Sequence, residues 1–302
     1  MTIRISEFTT LDQFLWHNED TAIEQAKILE RLSTLKKVNR ASDDPAHYRQ
    51  IKDAKAEIEE NMAFQDNIVN TRAKLRLTED VFNTIRDAME EAREVTIQGT
   101  SFIYDDLERE TIGDELEQLR LTIFNQLNTQ YEGEYLFAGT DTNTLPFPDP
   151  LTGAYAGNTD LMQVRVSKTD TVTTNFTGEE IAFGATGQGG AEDVLDILDD
   201  LITAFRNNDV TAVNVEVPRL RPALERINHL IGDVGNRQLR LENEESRHLS
   251  FETSLRSILA DLQDADLAEE TVNLERINAQ FESQLRAQGS VNRQQSLLDF
   301  LG

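Results

Sequence analysis

The sequence predicts a mainly α-helical protein, in which both chain ends form an elongated antiparallel bundle or coiled coil of long helices, with a small β-rich insertion domain at its tip. Three observations support this fold class. Apolar residues recur at heptad spacing toward both ends, whereas most of the glycines and prolines, taken together, lie between residues 135 and 190. Hydrophobic residues make up 38% of the chain and aromatic residues 7%, against 28% charged residues, a composition typical of long helices.

The first forty residues are predicted to form one helix with a weak apolar stripe. The stripe alternates steps of four and three residues along one helix face. It consists of Leu11, Leu15, Asn18, Ala22, Gln25, Leu29 and Leu32. Because two of its seven positions are amides and one is alanine, this helix should be marginal alone and should need a partner helix.

Long helices are predicted on both sides of the central region. After a break near residue 40, Ser42 or Asp43 can cap a helix that starts at Pro45 and continues to about residue 96. A third helix is expected over residues 105–129, and helical spacing resumes at residue 194. A second very long helix is predicted to follow Pro218 and Pro222.

The residue pattern of the central region predicts a β-rich insertion, and the limits of this insertion define the other domain boundaries. Alternating apolar and polar residues at 162–166 and 171–176 are typical of short strands between turns. We therefore expect terminal coiled-coil arms at residues 1–40 and 265–302. Between them we expect a long-helix bundle domain at residues 41–137 and 191–264 and a β-rich insertion domain at residues 138–190.

The last segment repeats the pattern of the first. Its polar face is rich in asparagine and glutamine, which suits close packing among like chains because amides cost less to desolvate than carboxylates. We therefore predict that the apolar stripes of both ends form a subunit interface. Its expected residues are Leu11, Leu15, Leu29, Leu32, Leu267, Leu274, Phe281, Leu285 and Leu298.

Charge limits the partners of the chain. Lysine and arginine number 29 and aspartate and glutamate 55, which gives a net charge of −26. Such a surface repels nucleic acid phosphates and anionic lipid headgroups, so neither nucleic acid nor membrane is an expected partner. Residues 1–40 hold six basic and six acidic residues, and residues 265–302 hold three basic and six acidic residues. The two ends can therefore approach copies of themselves more readily than the strongly acidic middle of the chain can.

Residues that could carry catalysis or bind a metal form no recognisable pattern. The chain has no cysteine, and its histidines, His17, His47, His229 and His248, are scattered. The glycine-rich residues 184–190 lack the lysine and hydroxyl residue of a phosphate-binding loop, so a flexible linker is expected there. The sequence therefore predicts a structural protein that is not an enzyme and uses no cofactor.

Neither a signal peptide nor a membrane span is predicted. The first residues lack the apolar run of a signal peptide, and no stretch approaches the ~20 apolar residues that a membrane helix needs. If the protein is exported, we expect a route without a cleaved signal peptide.

Both chain ends resemble the flagellin-like family of bacterial flagellar axial proteins. In the N-terminal stretch, residues 32–46, the sharpest match is the motif formed by Ser42, Asp43, Asp44 and Pro45. The C-terminal stretch begins at residue 264 and closes with Leu-Leu-Asp-Phe-Leu. The resemblance covers the terminal arms and the long helices, roughly two thirds of the chain.

Within this family, the chain looks most like the junction subunit between hook and filament. The residues that indicate this are Tyr-Leu-Phe-Ala-Gly-Thr at 135–140 and the Leu-Leu-Asp-Phe-Leu ending at 297–301. The resemblance implies a ring of identical subunits, with another hook-associated protein on the hook side and flagellin on the filament side. It also implies a flagellar export chaperone, export unfolded without a cleaved signal peptide, an extracellular location on the flagellum, and terminal arms that order only on assembly.

Two alternatives stay open at this point. The chain could be flagellin itself, which polymerises to indefinite length. A cytoplasmic coiled-coil signalling scaffold would also show heptads, although it would have no need of a β insertion.

Overall fold

The computed structural model describes the backbone of residues 2–100 and 105–301, without the side chains of residues 2–11, 13, 14, 288 and 290–301. Seven α-helices and four short strands follow one another along this part of the chain. They are α1 (Thr2–Thr34), α2 (Pro45–Gly99), α3 (Asp106–Leu127), β1 (Gln130–Tyr131), β2 (Glu134–Tyr135), β3 (Gln163–Arg165), β4 (Thr171–Thr173), α4 (Gly178–Ala182), α5 (Val194–Arg206), α6 (Val210–Gln263) and α7 (Leu267–Leu301). The predicted class, a mainly helical protein with a small β insertion, is confirmed.

The chain folds into two compact units. The terminal unit comprises residues 1–60 and 250–302, and the central unit comprises residues 61–249. Helices α2 and α6 contribute residues to both. The three-part division predicted from the sequence places its boundaries at other residues and stays a prediction.

In the terminal unit, α1 and α7 pack side by side in antiparallel directions. Where α1 gives way to α2 and α6 to α7, the two breaks are joined by main-chain hydrogen bonds. The N–H of Lys37 donates to the carbonyl of Gln263 at 2.7 Å, and the N–H of Ala265 donates to the carbonyl of Leu35 at 3.0 Å. These bonds therefore join the end of α1 to the beginning of α7, at the end of the helix pair that lies farthest from the chain termini.

In the central unit, α2 and α6 run antiparallel and share a buried face. The apolar residues that α2 repeats at intervals of seven, Ile68, Leu75, Phe82 and Met89, are all fully buried, as the heptad spacing predicts. On α6, Ile227, Val234 and Leu241 are equally buried. Polar pairs flank this face, including the ion pair of Arg72 with Glu245 and the hydrogen bond from Gln238 Nε2 to Glu79 Oε2 at 2.8 Å.

Two antiparallel hairpins make up the strands of the described part. In the first hairpin, β1 and β2 are joined through Glu132 and Gly133, whose φ angles of 54° and 88° match the type I′ turn that favours glycine. This hairpin precedes the predicted insertion and was not predicted, because its two-residue strands leave no alternating pattern to detect. The second hairpin, β3 and β4, lies where strands are predicted.

The prediction that α6 follows Pro218 and Pro222 is wrong, because the helix begins at Val210 and contains both prolines. The Asp209 carboxylate caps this earlier start by accepting hydrogen bonds from the N–H groups of Thr211 and Ala212, each at 3.0 Å. Each proline removes one helical N–H, but both lie four residues apart on the exposed side, where water can reach the freed carbonyls. Burial of the opposite side then outweighs the loss of two hydrogen bonds.

The prediction that Ser42 or Asp43 caps α2 is also wrong, because Asp44 is the capping residue. Its Oδ1 accepts hydrogen bonds from the N–H groups of Ala46 at 2.9 Å and His47 at 3.0 Å. Asp43 instead accepts from the N–H groups of Asn39 and Arg40, so it fixes the preceding turn. Pro45 occupies the first helical position, as predicted.

A row of arginines on α6 binds the main-chain carbonyls of the irregular segment at residues 170–192. We call Arg219, Arg226, Arg237 and Arg240 the arginine series. Arg219 donates to the carbonyls of residues 190 and 191, Arg226 to those of 181, 182 and 192, Arg237 to those of 173 and 175, and Arg240 to that of 171. The segment thus lies along α6 in the opposite direction, and the guanidinium groups supply donors that secondary structure would supply elsewhere.

Residues 184–190 are held within this arrangement rather than forming a bare linker. They begin with a 3-10 turn at Gly184–Thr186. The N–H of Gly189 then donates to Asp193 Oδ2 at 2.8 Å, while Arg219 binds the Gly190 carbonyl at 2.9 Å. The glycines of residues 184–190 therefore lie in the turns of a loop that hydrogen bonds hold in place.

Replacement of Arg226 by alanine should destabilise the central unit by about 1–3 kcal/mol, because buried carbonyls would lose their donors. Arg226 makes 2.9 to 3.1 Å bonds to the carbonyls of residues 181, 182 and 192. Arg221→Ala is the matched control, since Arg221 is exposed on the same helix and forms a solvent-exposed ion pair with Glu225. Urea unfolding followed by circular dichroism measures both variants, and equal effects would contradict the proposed part of Arg226.

Candidate assembly surface on the terminal helices

The seam between α1 and α7 contains few apolar residues. Ile28 of α1 is 3% exposed and Ile277 of α7 is 2% exposed. Their heptad neighbours in the seam are the buried Thr21 on α1 and the buried Glu270 on α7. With one large aliphatic side chain from each helix, this part of the seam buries little hydrocarbon, so the hydrophobic contribution to pairing is small.

Polar contacts across the seam are incomplete. Gln25 Nε2 donates to Asn278 Oδ1 at 2.7 Å, Arg31 pairs with Glu270 at 3.3 Å, and Gln284 Nε2 donates to Thr21 Oγ1 at 3.3 Å. Within the described residues, however, three buried side-chain oxygens of this pair accept no hydrogen bond, namely Asn18 Oδ1, Glu270 Oε2 and Gln284 Oε1. A buried polar atom without a partner costs about 1–3 kcal/mol, so the pair is weakly stabilised as it stands.

Apolar side chains also remain outside the seam on both helices. On α1, Leu15 is 52% exposed and Trp16 is 70% exposed. Because neighbouring helical residues point about 100° apart, Ile28 can lie in the seam while Leu29 faces away from it. The further exposed apolar residues of the two helices are Ile23, Leu267, Val272 and Leu285.

The predicted interface residues lie mainly on the open side of this helix pair. Four of them are exposed, namely Leu15, Leu29, Leu267 and Leu285. Three are partly exposed at the edge of the seam, namely Leu32, Leu274 and Phe281. The side chains of Leu11 and Leu298 lie outside the described residues. The structure therefore gathers seven of the nine on one helix pair, and their role between subunits stays a prediction.

Sequence reasoning missed the seam itself. Thr21 and Ile28 are seven residues apart, as are Glu270, Ile277 and Gln284, so a heptad signal was present. It was hidden because each series contains only one large apolar residue. The predicted stripe of α1 follows the more numerous leucines, of which Leu15 and Leu29 are exposed and Leu32 lies at the edge of the seam.

The Ser-Asp-Asp-Pro motif fixes the break between α1 and α2. The main-chain N–H of Arg40 lowers the pKa of Asp43, and the N–H and side chain of His47 lower that of Asp44. A carboxylate whose folded pKa is lowered stabilises the fold above its unfolded pKa, and this contribution is lost as the pH falls through the folded value. The motif is therefore a turn that depends on ionised carboxylates, in which Ser42 is exposed.

The described residues bring together no candidate catalytic or metal site. They contain no cluster of three or more side chains that could hold a metal ion. His17, His47 and His229 are exposed, and His248 is buried, where Nε2 contacts the Val166 carbonyl at 2.6 Å and the ring stacks on Phe64. In this part of the chain, no helix combines the length and apolar character that a membrane crossing requires.

Known family models match two long stretches of the chain, which include α7 and the second half of α1. The model of the bacterial flagellin N-terminal helical region matches residues 16–142, and that of the C-terminal helical region matches residues 219–301. Together they match more than half of the chain and include most of α2, α3, α6 and α7. The fold thus defines a structural protein built on paired terminal helices. The chain belongs to the flagellin-like family of bacterial flagellar proteins.

Two curated relatives and one solved structure narrow the comparison. Flagellar hook-associated protein 3 of Salmonella typhimurium is 26% identical over 268 residues, covering 86% of this chain and 84% of the relative. The Escherichia coli protein of the same name is 25% identical over 247 residues, covering 79% and 77%. A Vibrio parahaemolyticus structure assigned as a flagellar hook-associated protein is 25% identical, with a TM-score of 0.67, and covers 74% of this chain and 100% of its own.

Ile277→Ala should weaken the helix pair by about 2–4 kcal/mol, because it removes a buried aliphatic side chain from a seam that has few. Leu285→Ala is the control on the same helix, since Leu285 is 47% exposed and should change the monomer by less than about 0.5 kcal/mol. Hydrogen exchange of residues 21–34 in dilute monomer measures the difference. Comparable acceleration by both substitutions would mean that the seam lies elsewhere.

Proposed function

We propose that this chain is the junction subunit between the hook and the filament of the bacterial flagellum, an adaptor that assembles into a ring through its terminal helices. The two curated relatives bear the name hook-associated protein 3, which supports a place between these structures. The observation that carries the proposal is the open apolar face of α1 and α7 beside a seam with unsatisfied oxygens. Such a pair gains most when another helix covers it.

The ring would form as neighbouring copies cover these faces. Its interface residues are those predicted from the sequence: Leu11, Leu15, Leu29, Leu32, Leu267, Leu274, Phe281, Leu285 and Leu298. Burial of an exposed leucine stabilises by about 1.5–3 kcal/mol, so several per subunit offset the cost of ordering the helices. The balanced charge of residues 1–40 lets copies approach, whereas the acidic remainder stays hydrated.

The proposed setting includes several partners. On the hook side the ring would contact another hook-associated protein, and on the filament side it would contact flagellin. Before assembly, an export chaperone would hold the chain, which would leave the cell unfolded without a cleaved signal peptide and act outside the cell. In this setting the chain performs a mechanical role and not an enzymatic one.

Paired substitutions on the open face test the assembly surface. Leu29→Ser with Leu285→Ser should abolish assembly and motility, while circular dichroism of the monomer stays unchanged because both side chains are exposed. Leu249→Ser is the matched control, since Leu249 is 53% exposed on α6 but lies outside the terminal helices. Normal motility of the double variant would refute the proposed surface.

A deletion strain distinguishes the junction subunit from flagellin. Loss of a junction subunit should leave hooks without filaments and release flagellin into the medium, because filament subunits would have nothing to attach to. Loss of flagellin would leave no filament protein to release. Immunoblots of culture supernatants make the comparison, and empty supernatants from the deletion strain would favour the filament subunit.

A further inference from the structure

A cavity of about 610 Å³ lies in the central unit between α2 and the two hairpins. Its walls come from three separate parts of the chain. Thr71 and Lys74 line it from α2, Tyr131 and Glu134 from the first hairpin, and Met162 and Val164 from the second. The cavity is open to solvent on one side and lined by both apolar and polar atoms, so a small uncharged molecule can enter it.

Lys74 is the side chain in this cavity whose chemistry is unusual. It is partly buried, and among the residues that the structure describes its ammonium has no hydrogen bond or ion pair. Burial lowers the pKa of this amine, and the negative charge of Glu134 opposes the shift in part. A lysine held in this way loses part of the hydration that stabilises its charged form, so a larger fraction of it is nucleophilic free amine than for an exposed lysine.

We propose that Lys74 is an acylation site that takes small neutral acyl donors entering this cavity. The free amine nitrogen attacks the acyl carbon and forms a carbon–nitrogen bond. The bond between that carbon and the leaving group then breaks, the leaving group departs with the bonding electrons, and the proton of the amine passes to water. The product is an amide, and no oxidant or reductant takes part.

The residues that line the cavity favour the amide of Lys74 as well as its formation. An amide carries no charge, so it removes the cost of keeping an ammonium partly buried. Its carbonyl needs a hydrogen-bond donor, and the cavity is lined by Thr71 and Tyr131, two residues that carry a hydroxyl group. A donor with a negative charge is disfavoured, because Glu132 and Glu134 both line this cavity.

Competitive labelling of the folded full-length chain tests the proposal. With trace acetic anhydride at pH 7.5, followed by peptide mass spectrometry, Lys74 should be acetylated several-fold faster than Lys52, an exposed lysine on the same helix. The difference should disappear in urea, where no cavity exists, and Lys74→Arg assigns the modified peptide. Equal rates in the folded chain, or a difference that survives in urea, would overturn the proposal.

A second variant tests whether the charge of Glu134 in the cavity controls the reactivity of the Lys74 amine. Glu134→Gln keeps the shape of the side chain but removes the charge that holds the proton on Lys74. It should raise the labelling rate of Lys74, because the negative charge that raises the pKa of this amine is removed, and it should leave the labelling rate of Lys52 unchanged. An unchanged or lower rate at Lys74 would show that Glu134 and the cavity do not control this amine.

Discussion

The buried face shared by α2 and α6 is the interaction on which the central unit depends. Ile68, Leu75 and Phe82 of α2 meet a matching series on α6, and all are excluded from water. Buried aromatic residues from the region between these helices pack on the same layer, since Phe137 and Phe176 both contact the Phe82 ring. A slip of either helix would move polar side chains into this face and apolar ones out of it, so the heptad spacing fixes the register of the whole unit.

The arginine series shows how a segment with little secondary structure can still have a defined place. Short elements and turns satisfy only some of its carbonyls, and guanidinium groups on a neighbouring helix bind others, such as those of Asn175 and Ala182. Arginine suits this task because it stays charged and presents several donors in one plane. Arg237 also lies over the ring of Phe176, 4.0 Å from its centroid, which adds an attraction between cation and ring.

The sequence predicted what periodicity alone determines and missed what depends on tertiary contacts. The seven-residue spacing of apolar residues in α2 predicted its buried face, because a large apolar residue occupies the same position in each repeat. The start of α6 was misread because a proline signals a break only when burial on the opposite side is too small to offset the lost hydrogen bonds. The seam at Ile28 and Ile277 was missed because polar residues occupy the neighbouring heptad positions, so the sequence shows no continuous apolar stripe there. Asp44 and Asp43 could each have capped α2, and only the geometry of the preceding turn separates them.

The three oxygens that accept no hydrogen bond within the α1 and α7 pair have a consequence for selectivity. Hydrocarbon can cover the leucines of this pair, but it cannot satisfy Asn18, Glu270 or Gln284. Because these oxygens are shielded from solvent, a neighbouring helix can reach them only where the seam opens, and there a helix with N–H donors gains more than one with apolar side chains alone. In the proposed assembly, the preferred neighbour would therefore be the one that can replace these missing hydrogen bonds, and not simply the one that buries the most hydrocarbon.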